Sequence, residues 1–196
     1  MLVALPSATL SPPIVDPGII VNFGEVSIST AIQNQTIKGY TFSENVANAV
    51  TSNLGPGTTL NLNGVSLQSG GGFSAANYVL TVTMPIPVQG FGFGFAILDY
   101  TSVADAVTIT AFNGLINLGS ITFPGVPDPT PPFYFTGGFA GIGSADYFTS
   151  VQISFSETAL GFAIDNLAIP EPGSLGLMLL GGVALGWRRQ RPAARV

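Results

Sequence analysis

The sequence predicts an all-β protein, two antiparallel sheets packed face to face as a β-sandwich, followed by a short hydrophobic helix at the C-terminus. Three observations carry this. The 196 residues include 25 Gly and 15 Pro, enough to turn the chain many times. Between those turns, short runs of Thr, Ser, Val, Ile and Phe recur, several alternating with the period of two that a half-buried strand requires. Charged residues make up only 8% and hydrophobic ones 46%, which supplies a core and excludes an intrinsically disordered chain. The length suits one domain and a tail. The chain divides into an N-terminal arm (1–13), the sandwich (14–169) and the tail (170–196).

Residues 1–13 lack the basic start and full apolar run of a signal peptide. Residues 2–5 followed by Pro6-Ser7-Ala8 match the end of a longer leader, with cleavage after Ala8 and a true start upstream of Met1; the alternative is a simple N-terminal arm. Strands are expected over 19–23 and 36–42. Val46, Ala49 and Val50 then fall at helical spacing behind a Ser43-Glu44 start resembling an N-cap, which predicts a short surface helix within 43–53. Residues 58–68 alternate, with Leu60, Leu62, Val65 and Leu67 apolar and a turn or bulge offered midway by Asn61-Leu62-Asn63-Gly64. The glycine run at 70–72 is a loop, since no Lys-Ser/Thr pair follows to make a phosphate cradle.

A strand over 78–84 is expected to end at Pro85 and Pro87, neither of which can donate to a ladder. In 88–98, alternation places Phe91, Phe93 and Phe95 on one face and Gly92 and Gly94 on the other. Burial of each Phe contributes up to about 3 kcal/mol, marking this as the central strand. Residues 106–112 and 115–123 form a hairpin around Asn113-Gly114. The proline-rich stretch 124–132 is an extended connection, 133–142 a strand, 141–148 a turn, and 151–155 and 161–169 the last two strands.

Composition excludes several chemistries. Without His there is no Ser-His-Asp or Cys-His arrangement, and the commonest zinc ligand is missing. Without Cys, disulfides contribute nothing. Setting the tail aside leaves Lys38 alone against nine carboxylates, a formal charge of −8 that repels nucleic acid. No cofactor is called for, and any metal would be a hard cation such as calcium. Asp128 sits between prolines, and Asp99, Asp105 and Asp146 lie within three residues of Ser or Thr; all four read as solvated loop residues. A glycosidase needs two carboxylates at a set distance, and nothing in the sequence selects a pair.

The tail orders three chemically distinct parts. Pro170, Glu171 and Pro172 form a rigid polar hinge; residues 175–187 carry no charge and end in Trp187; Arg188, Arg189, Arg191 and Arg195 close the chain. Thirteen apolar residues fit a buried core helix by length, but apolarity all round and flanking arginines favour a short membrane helix with its Arg end cytoplasmic and residues 1–169 on the far side. This order resembles the PEP-CTERM sorting signal of Gram-negative bacteria. The resemblance implies export, recognition by a membrane-embedded exosortase, processing near Pro170–Pro172, and a final place at the cell surface or among extracellular polysaccharide.

Residues 91–95, 107–113, 138–144 and 161–167 also resemble, in order, motifs of extracellular jelly-roll domains in PEP-CTERM proteins, which implies a jelly-roll-like sandwich. Carbohydrate-binding modules of similar architecture hold a structural calcium through a last-strand Asp. Asp165 matches that position, and Glu25 matches a first-strand ligand loosely; the alternative for Asp165 is an edge position or bonds to backbone amides. Three functional readings stand, in this order: a non-enzymatic structural or adhesive surface protein, a glycan-binding module, and an enzyme acting on polysaccharide. The second needs an exposed aromatic platform from Tyr40, Tyr78, Tyr100, Tyr134 or Tyr147.

Overall fold

The computed structural model describes residues 1–4, 19–53, 62, 64–69, 75, 77–99, 101–128 and 135–169. Its strands are β1 (Leu2–Ala4), β2 (Ile19–Val21), β3 (Thr36–Ile37), β4 (Tyr40–Glu44), β5 (Ala49–Asn53) and β6 (Val65–Ser69), then β7 (Val79–Leu98), β8 (Val103–Asn113), β9 (Ile116–Pro127), β10 (Phe135–Phe155) and β11 (Phe162–Ile169). No helix occurs among the described residues, and the expected C-terminal helix lies outside them.

The Phe-Gly alternation places the core as expected. Phe91, Phe93 and Phe95 are fully buried on one face of β7. The other face is buried too, because Gly92 lets the ring of Phe139 on β10 lie flat against the strand; an added Cβ would meet its Cζ at 2.5 Å. β7 pairs with β10 along both halves: residues 91–98 against the start of β10, residues 79–83 against its end. One layer therefore runs β5-β6-β11-β7-β10, with β2 on the β11 edge and β1 on β10; the other runs β3-β4-β7-β10-β8-β9. Alternate residues of the second layer, such as Phe42, Val82, Val151 and Ala111, are buried and join the phenylalanines of the first in a single core. Phe155 of the second layer stacks on Phe162 of the first, centroids 4.3 Å apart and planes at 11°.

Two expectations fail at the bend between layers. Pro85 and Pro87 do not end a strand, and 141–148 is not a separate turn: β7 and β10 run through, at 20 and 21 residues. The ladder jumps from Val88–Phe148 to Thr83–Ser150 and is shifted again between Gly143 and Phe148. The exposed prolines sit where β7 has no ladder bond to β10 to lose, so their missing N–H costs nothing there. The hairpin at Asn113-Gly114 is present, with Gly114 at φ 58°. A second hairpin, β3–β4, turns at Lys38 (φ 50°) and Gly39 (φ 87°), the two positive values a type I′ turn needs.

The expected helix within 43–53 is instead the turn from β4 into β5. Glu44, 8% exposed, directs Oε2 at the Tyr78 hydroxyl (2.8 Å) and at the backbone N–H groups of Ala49 (2.9 Å) and Asn48 (3.1 Å). Asn45 fastens the turn to β7 by accepting from Val79 N at 2.8 Å and donating to Asn77 O at 2.7 Å. Glu44 does satisfy backbone donors, as a cap would, but its carboxylate reaches across a turn, and Val46 points to solvent at 46% exposure.

These contacts can be tested at two positions. A Cβ at Gly137 would run into the carbonyl oxygen of Phe95 and stand 2.8 Å from the Cα of Ala96. Gly137→Ala is expected to lower the urea midpoint by the equivalent of roughly 2–3 kcal/mol at unchanged slope; an unaltered midpoint contradicts the close approach. The Tyr78 pKa is raised far above its ordinary value by burial, and further by the hydrogen bond to Glu44 and its negative charge; burial raises Tyr40 as well. Below about pH 10 these tyrosines are neutral folded and unfolded, and stability is unaffected; above it the unfolded chain ionises first, so stability falls as pH rises. Urea unfolding across that range should show the fall, and Tyr78→Phe should reduce it while costing about 1 kcal/mol at neutral pH.

Candidate functional site

A polar cleft of about 630 Å³ opens where β7 ends, β8 begins and β10 runs out. Asp99, just past β7, builds its rim: Oδ1 accepts from the backbone N–H and the hydroxyl of Thr101, both at 3.0 Å, closing an Asx-type turn. Its Oδ2 accepts from the Thr158 hydroxyl at 3.3 Å, tying the 99–102 turn to the one after β10. Buried Thr136 donates to the Thr101 carbonyl at 2.8 Å, anchoring the turn to β10 from beneath. Asp105 and Glu157 are the exposed carboxylates of the cleft, and Thr108 and Thr122 line its opposite wall. Phe155 forms the floor but is 7% exposed, its ring spent on Phe162.

Carboxylates and hydroxyls without a cationic side chain give a site rich in acceptors. Such a lining suits a ligand that brings hydroxyl donors, because hydrogen bonds to an ionised group are about twice as strong as neutral ones. It repels phosphate. The sequence did not reveal this cleft, since its residues come from 99–108, 122 and 155–158 and carry no local motif. Of the acids read as solvated loop residues, Asp105 and Asp146 are exposed, the latter facing the Met1 ammonium at 3.3 Å, whereas Asp128 is 5% exposed.

Asp165 is fully buried in β11 opposite Gly94, on the face it shares with Ala163 and Ala96. Glu25 lies beyond β2, its Oε1 held at 2.6 Å by Lys38 Nζ, which also donates to Ile20 O at 2.5 Å. Glu25 thus answers to a lysine, and among the described residues no three acidic side chains gather in one place. The calcium expectation rests on Asp165 alone. Of the tyrosines proposed as a platform, Tyr40 and Tyr78 are buried and Tyr147 is 46% exposed, while Tyr100 and Tyr134 lie outside the described residues.

β11 reaches Ile169, paired with Ile19 of β2, and the tail leaves from there. Pro170, Glu171, Pro172, Arg188, Arg189 and Arg191 lie outside the described residues. Among solved structures, the chain is similar to the enzymatically active domain of tailspike protein 4 of bacteriophage CBA120, at 17% identity and a TM-score of 0.39, covering 72% of this chain and 21% of that one. It is also similar to a mutant of the family 29 carbohydrate-binding module CBM29-2, at 11% identity and a TM-score of 0.36, covering 73% of this chain and 88% of that one. No curated protein matches it. The family comparison falls on the tail: residues 168–190, from the last two residues of β11 through Arg188 and Arg189, match the PEP-CTERM protein-sorting motif, and the chain therefore carries that motif directly behind an all-β domain.

Proposed function

We propose that this is an exported protein, held briefly in the inner membrane by its tail with the C-terminus cytoplasmic. An exosortase-type enzyme then processes it near Pro170–Pro172, and the jelly-roll-like domain serves a non-enzymatic structural or adhesive role at the cell surface or in the extracellular polysaccharide matrix. The observation that carries this reading is the sorting motif at 168–190. Its position supports it: cleavage just past Ile169 leaves β11 and its pairing with β2, β6 and β7 complete. Loss of four arginines together with Glu171 also leaves the released domain at −8, which favours solubility and discourages return to an anionic membrane. The lack of His removes the commonest general base, which supports a non-enzymatic role.

The polar cleft favours a second reading, a glycan-binding module, because its carboxylates and hydroxyls match a polyhydroxylated ligand.

The test is the intact mass of the protein from membrane and medium fractions of an exosortase-bearing host, for the wild-type chain and for a variant with Pro170, Glu171 and Pro172 all changed to Ala. The wild type should lose its tail near residue 170 and leave the membrane fraction; the variant should keep both tail and membrane location. Identical masses and distributions for the two would contradict the sorting role.

A further inference from the structure

The second layer has an outer face, and its register makes that face unusual. Side chains directly opposite one another across paired strands share a face. One row reads Thr36, Thr41, Thr83, Ser150, Phe112, Asn117. The next reads Ser43, Thr81, Gln152, Thr110, Ser120, and a third holds Ser154, Thr108 and Thr122, the last two reaching the cleft. All of these are exposed or half-exposed, and none is charged. A soluble surface ordinarily carries about 25–35% charged residues. With strands about 4.8 Å apart, the first row extends about 24 Å, and the three rows together are about 14 Å deep.

We propose that this face binds an uncharged polysaccharide, with the Phe112 ring as the surface on which a sugar stacks; the proposal rests on the glycan-binding reading above and gives it a place and a ligand class. Hydroxyls are paired across strands, Thr108 with Thr122 at 3.0 Å, Thr110 with Ser120 at 2.8 Å and Thr36 with Thr41 at 3.1 Å. Each such pair uses one O–H and one lone pair, leaving one donor and three lone pairs directed outward. The pairing also fixes the rotamers, so less freedom is lost on binding. Phe112 is half-exposed, with Ser150 and Asn117 on either side of it in its row. A ring set among neutral hydroxyls matches a pyranose, which offers an apolar C–H face edged by O–H groups. Charge selects among polymers: the domain at −8 repels an anionic polysaccharide, whereas the neutral face has no charge to desolvate when an uncharged one lies on it.

Affinity electrophoresis in detergent of the full-length protein with Arg188, Arg189, Arg191 and Arg195 changed to Gln, so that the tail offers a polyanion no cation, through gels containing hydroxyethylcellulose, dextran or alginate, tests this. At least one of the two neutral polymers should retard the protein and alginate should not. Phe112→Ala and Thr110→Lys should each weaken retardation about tenfold. If Phe112→Ala also lowers the urea midpoint, Thr110→Lys decides alone, since its side chain stands at the surface. A larger loss from Glu157→Gln than from Thr110→Lys would move sugar binding to the cleft and overturn this proposal while leaving the glycan reading standing. Retardation by alginate alone, or by no polymer, would overturn both.

Discussion

Two strands, β7 and β10, pair along both of their halves, and each contributes a segment to both layers. This ladder holds the layers in register, because most strands that flank it attach to one half or the other: β11 to residues 92–97 of β7, β4 to residues 80–83, and β8 to the end of β10, while β9 bridges β8 and, at Val126 and Pro127, the start of β10. In a chain without cysteine, nothing covalent substitutes for it. The pairing is close because glycines allow it to be, at Gly137 over the backbone of β7 and at Gly92 under the ring of Phe139. Phe91, Phe93 and Phe95 then all face the core, and at up to about 3 kcal/mol each they add hydrophobic stabilisation to the same ladder.

Where local chemistry and tertiary demand agreed, the sequence was legible. The Phe-Gly alternation located the core strand, Asn113-Gly114 located the hairpin, and the last strand came within a residue of its observed start. Legibility failed where a residue's usual meaning depends on what its neighbours require. Pro85 and Pro87 end a strand only if a ladder bond is needed there, and the interruption in pairing at 84–87, opposite Thr149, removes that need. Ser43-Glu44 supplies backbone acceptors in a helix cap and in a β-turn alike, so the choice fell to Tyr78, 34 residues away. Neither the cleft nor the hydroxyl face has a signature in any short stretch. Both exist only through register, although period-two alternation through residues 108–112 already places Phe112 beside Thr108 and Thr110.

The domain and its tail make opposite electrostatic demands, and the chain keeps them apart. Four of its five basic residues lie beyond Trp187, next to the segment expected in the membrane, while the strands before Pro170 carry an acidic rim and an uncharged sheet face. The boundary falls at the end of β11, a strand whose neighbours are β2, β6 and β7. Removal of the tail at that boundary would leave the pairings of β11 with all three neighbours intact.

The most direct test of the central place of the β7–β10 ladder is native-state hydrogen exchange resolved by residue. If the two strands act as one unit, the paired amides at 80–83 and at 92–97 of β7, with their partners in β10, will be the most protected in the domain and will exchange with the same free energy, that of global unfolding. If the 80–83 half opens at markedly lower free energy than the 92–97 half, the layers are separate cooperative units joined at the bend, and the ladder does not hold the sandwich together.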